Sequence, residues 1–374
     1  MNCSIREKWH REERQEWHHQ FPATPQIEQN LRIQNNTIFM VVHVKSVIFE
    51  KTGLDNLEVK DVPRPSVGSH DVLIRVKMIG VNPIDYFVAS GTRKAEPMPH
   101  IPGAEFAGIV DEIGNHVTNL RKGVRVVIYS RVFDNVCDMC LSGNEMLCRN
   151  GGIIGVVTNG GYAEYVAVSE KNAFKIPDDV SWELAASLPV AALTPYHALL
   201  EAQLRANEYL VVFGASGNTG MFAVQHGKKS GARVIAVTSR QWLKDYGAEY
   251  VVGHEDAYEE IERITAGKMA DCVLNSLGSE TWSKALETVG VHGRLVFYGT
   301  LTGAKTDLDL AAIYNKHIRI IGTTGGTRRE MQELIGNART LKLKVWKKFR
   351  LEEAMTALKS LHSKERDGRI LLEP

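Results

Sequence analysis

The chain has 374 residues, 44% of them hydrophobic, and a formal net charge of +1 from 45 basic and 44 acidic side chains. That length supports two domains with cores of their own, and the balanced charge excludes a field that would gather nucleic acid or an anionic membrane, leaving a small-molecule substrate as the expected partner. No apolar run reaches the roughly eighteen residues needed to span a bilayer and the N-terminus lacks a signal-peptide core, so a cytoplasmic protein is expected.

Residues 1–39 mix charge, His and Gln without a clear strand period, although 6–19 could form a polar helix. The expectation is a poorly ordered extension, or a translation start placed too early, with the globular pattern beginning at Met40. From there "VVHVKSVIFE", "DVLIRVKMIGV", "GAEFAGIVDEIG" and "RVVIY" combine β-branched residues with closely spaced turn signals, which predicts a compact β domain. Next comes "DNVCDMCLSGNEMLC", where three of the five cysteines, Cys137, Cys140 and Cys148, lie within twelve residues. In a reducing compartment such a cluster reads as metal-binding or catalytic, while Cys3 and Cys272 read as ordinary thiols. Asp134 stands just ahead, so the stretch is either an unfinished metal site or a complete one with a carboxylate ligand.

After the helical "DDVSWELAASLPVAALTPYHALLEA", strand and helix patterns alternate from "YLVVFGAS" to "HIRIIGTT". Alternation of this kind implies a parallel sheet covered by helices on both faces. The final stretch, from "LKLKVWKKFR" to "GRILLEP", returns to strand, helix, strand and is expected to rejoin the first domain.

Within that alternation, Ala215, Gly217 and Gly220 hold the spacing of the G-x-G-x-x-G fingerprint, with Ala at the first place. The stretch follows an apolar strand and opens a helix, the context the fingerprint needs. Glycine at 217 lets the backbone approach a pyrophosphate, the helix N-terminus favours its charge, and Gly220 allows the helix to pack closely. The turn Ala215, Ser216, Gly217, Asn218, Thr219 and Gly220 is therefore the expected phosphate cradle. At the end of the next strand, Thr238, Ser239 and Arg240 stand where an acid would hold the ribose hydroxyl of NAD, which suits the 2′-phosphate of NADPH.

These residues, with "GVNPIDYFVASG", "PHIPGAEFAGIVDEIG", "CDMCLSGNEMLC", "LPVAALTPYHAL", "FGASGNTG" and "GRILLEP" in that order, resemble the medium-chain dehydrogenase/reductase superfamily over roughly residues 40–374. The resemblance implies an α/β protein: a GroES-like β domain (40–184 and 327–374), a Rossmann doubly wound parallel-sheet domain (185–326), and an active site between them. It also aligns Asp134, Cys137, Cys140 and Cys148 with the C-x2-C-x2-C-x7-C lobe that holds a structural zinc, Asp replacing the first Cys. Zinc accepts carboxylate oxygen, although an oxygen ligand is harder than the lost sulfur. The positions that bind catalytic zinc in the alcohol dehydrogenases of the superfamily are here Asn82, Ala104 and Val190, beside a retained Glu105.

By that resemblance the chain is closest in its active-site residues to the quinone oxidoreductase and enoyl reductase branch. The implied activity is NADPH-dependent hydride transfer to an electron-poor C=C, quinone or related carbonyl without a catalytic metal. Tyr86 is the candidate proton source or oxyanion donor, Asn82 a candidate hydrogen bonder to substrate or nicotinamide ribose, and Asp85 structural. Thr194 is expected on the nicotinamide side, with Ser276, Gly278, Tyr298 and Gly299 at strand ends lining the cofactor cleft. Two alternatives stay open: a zinc alcohol dehydrogenase with atypical ligands such as Asp85, Glu105 and His100, and a non-catalytic NADPH-binding protein. The expected assembly is a homodimer or homotetramer.

Overall fold

The computed structural model describes residues 31–34, 37–40 and 42–374, the first two stretches as backbone only. The polar helix expected over 6–19 lies outside the described residues. Within the leader, Leu31–Gln34 and Thr37–Met40 pair as an antiparallel hairpin, a strand pairing that the sequence reading did not place. Met1–Val42 forms one unit and His43–Pro374 another.

The larger unit is built on two sheets. In chain order the first contributes β1 (Asp71–Gly80), β2 (Phe106–Ile113), β3 (Arg125–Ile128), β4 (Tyr165–Ser169) and β5 (Ala173–Lys175). The long β1 pairs antiparallel with both β2 and β4. Its alternating side chains put Val72, Ile74, Val76 and Ile79 into one apolar cluster with Phe106 and Val110 of β2 and Leu372 near the C-terminus.

The second sheet is parallel: β6 (Tyr209–Phe213), β7 (Arg233–Val237), β8 (Tyr250–Val252), β9 (Ala270–Asn275), β10 (Val289–Phe297) and β11 (Arg319–Gly322), lying side by side as β8-β7-β6-β9-β10-β11. That order reverses between β6 and β9, which is the doubly wound topology whose switch point forms a ligand crevice at the carboxyl ends of the strands. The central β6 reads as an unbroken apolar run because both its faces are covered: Leu210 and Val212 enter one cluster, Val211 and Phe213 another. Burying each such side chain contributes about 1.5–3 kcal/mol. The chain then returns to the first sheet through β12 (Val345–Arg350) and β13 (Arg369–Glu373), which pair parallel, and Leu371 of β13 sits opposite Gly80 of β1. No helix among the described residues is long and apolar enough to cross a membrane.

Candidate active site and metal lobe

Three segments meet where the two sheets adjoin. Gly80 ends β1, and Asn82 leads into helix α1 (Pro83–Ser90), whose first turn is pre-set by Pro83 and stopped by Gly91 at φ 85°. Glu105 immediately precedes β2. A π-helical turn, Leu188–Ala192, leads into helix α2 (Leu193–Glu201), leaving the Val190 and Ala191 N–H groups to point at a neighbour. That neighbour is Glu105, whose Oε1 accepts from Val190 N at 2.7 Å and Ala191 N at 2.8 Å. Its Oε2 accepts from Asn82 Nδ2 at 2.8 Å and pairs with the Arg369 guanidinium, both partners of that ion pair being 0% exposed. Both carboxylate oxygens are thereby saturated.

Arg369 comes from β13 and also donates to Val81 O at 2.7 Å, Asn82 Oδ1 at 3.0 Å and Ser187 Oγ at 3.3 Å. A Cβ on Gly80 would collide with both Arg369 and Glu105, so the pair requires glycine there. From the other side, Asn218 of the glycine-rich turn donates to Val81 O at 2.9 Å and Asn82 Oδ1 at 3.2 Å, tying the two halves together. Asn82 is 1% exposed, and both its amide atoms are engaged within this network, so the structure places it away from the cleft lining rather than toward a substrate.

Asp85 is also buried. It accepts from Asn82 N and Ala104 N, each at 2.9 Å, and from the Tyr162 hydroxyl at 3.3 Å, while burial pushes its carboxyl up to about 7. Its role here is structural. Tyr86 is half-buried, with its ring edge-on to His362 at 4.6 Å, and its hydroxyl makes no hydrogen bond. It does not line the cleft described next, so the expected proton donor is not brought to it.

That cleft, about 460 Å³, opens at the carboxyl ends of β10 and β11 and is lined by Tyr298, Gly299, Thr300, Thr323, Thr324 and His197 among others. The Tyr298 and Thr323 hydroxyls are buried there without partners. Tyr298 faces Thr219 and Ser276, and burial pushes its phenol up to about 12, so it remains a proton-bearing donor. Unpartnered buried donors at the switch point fit a polar ligand group arriving in the cleft. Thr194, in the first turn of α2, is buried, and Gly278 adopts φ 116°, a backbone form that favours glycine.

The glycine-rich turn has the shape a pyrophosphate needs. Helix α3 (Gly220–Lys229) starts so close to β6 that a Cβ on Gly220 would lie 2.6 Å from Ala215 Cα, whereas one on Gly217 would meet no atom closer than 3.1 Å. Ala215 is buried under the turn, and Thr219 ends it. Beyond β7, Thr238 Oγ1 donates to Ser216 Oγ at 3.2 Å, and Ser239 is exposed. Arg240 is not free: it lies 3.4 Å from Asp367, which Lys344 and the Trp242 ring N–H also engage, at 2.6 and 2.8 Å. Sequence reasoning missed Asp367, Arg369 and the tie through Asn218. The one signal for Arg369 is an arginine opening the apolar run "RILLE" of an interior strand.

At the lobe, donor atoms of Asp134, Cys137, Cys140 and Cys148 all lie within 4.8 Å of one another. Cys137 and Cys148 Sγ are 3.8 Å apart, and Zn–S bonds of about 2.3 Å in a tetrahedron require an edge of about 3.8 Å. Asp134 is fixed by Val136 N and Cys137 N at 2.9 and 3.0 Å on Oδ1 and by Asn150 Nδ2 at 2.7 Å on Oδ2, which hold its carboxylate well below the usual range. The donor set and its spacing fit a closed four-ligand zinc site.

A glycine-cradled switch point beside a buried polar cleft defines a dinucleotide-type oxidoreductase. Two family models match the chain, an alcohol dehydrogenase GroES-like domain over residues 68–178 and a zinc-binding dehydrogenase domain over 219–339. The chain is 33% identical to an NAD-dependent alcohol dehydrogenase of Sulfolobus acidocaldarius, covering 88% of this chain and 99% of that protein. It is 27% identical to a quinone oxidoreductase of Rattus norvegicus, covering 87% and 96%. Among solved structures, a cobalt- and zinc-bound thermostable alcohol dehydrogenase from Pyrobaculum aerophilum superposes with a TM-score of 0.84 at 38% identity, covering 89% of this chain and all of that one. The chain belongs to the medium-chain dehydrogenase/reductase superfamily, with a GroES-like domain and a Rossmann domain.

Proposed function

We propose that this oxidoreductase uses NADPH to reduce an electron-poor C=C, quinone or related carbonyl without a catalytic metal. The observation that carries the reading is the state of the three positions beside Glu105. Ala104 and Val190 have no side-chain donor, and the Asn82 amide is fully engaged by Glu105, Gly80, Arg369 and Asn218. Glu105 has no lone pair to spare, because backbone N–H groups and a guanidinium take both its oxygens. His100, considered as a replacement ligand, has its ring nitrogens 3.2 and 2.9 Å from the backbone carbonyl oxygens of Pro97 and Gly155, and the neutral ring that burial favours donates to one of them. The donor set does not fit a catalytic zinc.

When bound, a reduced nicotinamide supplies a hydride, which with one proton saturates an activated C=C or converts a quinone to a hydroquinone. Such acceptors carry their own electron sink and need less Lewis acid. The turn Ala215–Gly220 cradles the pyrophosphate, Thr194, Ser276, Gly278 and Gly299 border the nicotinamide end, and Tyr298 donates its O–H within the cleft. Asn82 acts as a positioning residue that locks the turn, through Asn218, to the Glu105 network. The absence of an acid at the end of β7, with Thr238, Ser239 and Arg240 in its place, supports NADPH over NADH. Zinc at Asp134, Cys137, Cys140 and Cys148 serves the fold of its lobe.

The test is NADPH oxidation by the zinc-replete protein against enones, enals and quinones, beside NADP⁺ reduction by primary and secondary alcohols. Turnover of enones or quinones with alcohols inert is expected. Alcohol oxidation that vanishes on chelation in a still-folded protein would refute the reading.

A further inference from the structure

Arg131, in the short strand Arg131–Val132 that pairs with Gly152–Ile153, is 8% exposed, yet no acidic side chain pairs with it among the described residues. Its only side-chain hydrogen bond runs from Nη2 to Thr324 Oγ1, at 2.9 Å, and its Nε is buried without a partner. Thr324 is part of the cleft wall together with Tyr298, Gly299 and Thr323. The contact is built rather than accidental. Gly325 has φ 60°, and a Cβ there would lie 2.9 Å from Arg131 Nε, so the end of β11 can press on the guanidinium only because residue 325 is glycine.

A second arginine reinforces the pattern. Arg93 follows helix α1 in an exposed turn, makes no side-chain hydrogen bond or ion pair among the described residues, and lies close enough for its charge to work against that of Arg131. Two cations that repel each other, one of them withdrawn from water with donors unspent, cost the fold stability and offset nothing inside it. Two other buried arginines are treated differently, Arg369 being paired with Glu105 and Arg294 with Glu208, although Arg366, at the glycine-rich turn, also lacks a carboxylate partner among the described residues. Arg131 stands behind Thr324 of the cleft wall, and an unpaired buried charge so placed suits a ligand of opposite charge that completes it.

We propose that Arg131, with Arg93 outside it, is the anchor for a carboxylate on the substrate, so that the acceptor reduced in this cleft is a short unsaturated oxo-acid. The proposal rests on the reading of the cleft as a C=C-reducing site and names the substrate class for it. The guanidinium fork serves a carboxylate or a phosphate, and the smaller carboxylate fits better because little room remains around a side chain so deeply buried. Thr324 holds the fork in place. Arg93, in water, adds attraction at a distance and is screened by salt.

Two probes that share the enone and differ in charge test this, the ester being the intrinsically more electrophilic: trans-4-oxo-2-pentenoate and its methyl ester, each with NADPH and the full chain. The acid-to-ester ratio of kcat/KM is expected to be roughly tenfold or more higher in the wild type than in Arg131→Met, the range a charge-assisted hydrogen bond supplies. Arg131→Met should collapse that ratio, Arg131→Lys should restore part of it, and Arg93→Gln, at an exposed position that does not bear on folding, should lower it by a smaller amount that disappears at high salt. An acid-to-ester ratio that Arg131→Met and Arg93→Gln both leave unchanged overturns the proposal.

Calorimetric binding of 4-oxopentanoate, which has no C=C to reduce, reads the anchor without turnover. Binding that is present in the wild type and absent in Arg131→Met, with neither pentenoate reduced, keeps the anchor and overturns the C=C-reducing reading. Ester reduction without 4-oxopentanoate binding overturns the anchor alone. Inorganic phosphate that displaces 4-oxopentanoate at lower concentration than succinate does overturns the choice of a carboxylate.

Discussion

Removing the charge of Arg369 isolates the network that saturates Glu105. In Arg369→Met, the apolar stem is retained while Glu105, at 0% exposure, keeps its bonds to Asn82, Val190 and Ala191 but loses its counter-ion. Val81 O and Asn82 Oδ1 lose a donor as well. Leaving one partner of a buried pair uncompensated costs about 3–5 kcal/mol, with no discount for solvent screening because both partners are 0% exposed. Adding Glu105→Gln removes the stranded charge, so the double variant should lose about 1–3 kcal/mol less than the sum of the two single losses. Urea denaturation near neutral pH, with zinc present and cofactor absent, measures all four corners of the cycle. A single Arg369→Met loss below about 1 kcal/mol, or strict additivity in the cycle, would show that Glu105 is not held as a charged partner of Arg369, and the argument that it is unavailable to a metal would fail with it.

The remaining predictions concern metal, cofactor and pH. Elemental analysis should find about one zinc per chain, the count for a closed structural site alone; Cys140→Ser should lower thermal stability, and Asp134→Ala should weaken zinc retention while turnover at moderate temperature persists. A second tightly held zinc would point instead to catalytic ligands elsewhere. Arg240→Ala should raise the KM for NADPH by about tenfold and change that for NADH little, and equal affinity of the unaltered chain for both cofactors would remove the ground for the NADPH assignment. Burial pushes Asp85 up to about 7, so its protonated form is favoured in the folded state. The stability this contributes is fully present below pH of about 4 and is lost as pH rises through about 7, a change on the order of 4 kcal/mol. Thermal scans of wild type and Asp85→Asn over that window should show the wild-type advantage shrinking as pH rises; a difference that is flat with pH would count against a buried, proton-holding Asp85.

The fold was largely legible because its signals are local. Apolar runs such as "YLVVF" are continuous where a strand is covered on both sides, the glycine spacing sits between a strand and a helix, and the lobe ligands lie within fifteen consecutive residues, Asp134 to Cys148. The site was legible only as a set of residue types. Asn82 looks in sequence like a polar residue on a substrate-facing loop; what turns it inward is Glu105, Asn218 and Arg369, which are 23, 136 and 287 residues away. Arg131 reads as one polar residue after an apolar strand, and nothing nearby in the chain distinguishes a solvated arginine from a buried one. Arg240 reads as a free cation, since Asp367 arrives from the far end of the chain.

Glu105 shows how these distant partners alter the chemistry of a residue that stays the same. In sequence it is a carboxylate available for ligation or for proton transfer. A buried carboxylate must be neutralised, and in the proposed reading Arg369 supplies the positive charge while the Asn82 amide and the backbone of the π-helical turn fill its remaining acceptor sites. The loss of metal-binding side chains at 82, 104 and 190 therefore leaves no unpaired acid behind. Because Asn82 and Arg369 also meet Asn218 of the glycine-rich turn, directly and through Val81 O, the group that takes over this neutralisation fixes where the dinucleotide cradle stands relative to β1. On the proposed reading, the network of Glu105, Asn82 and Arg369 thus supplies the positioning on which a metal-free hydride transfer depends.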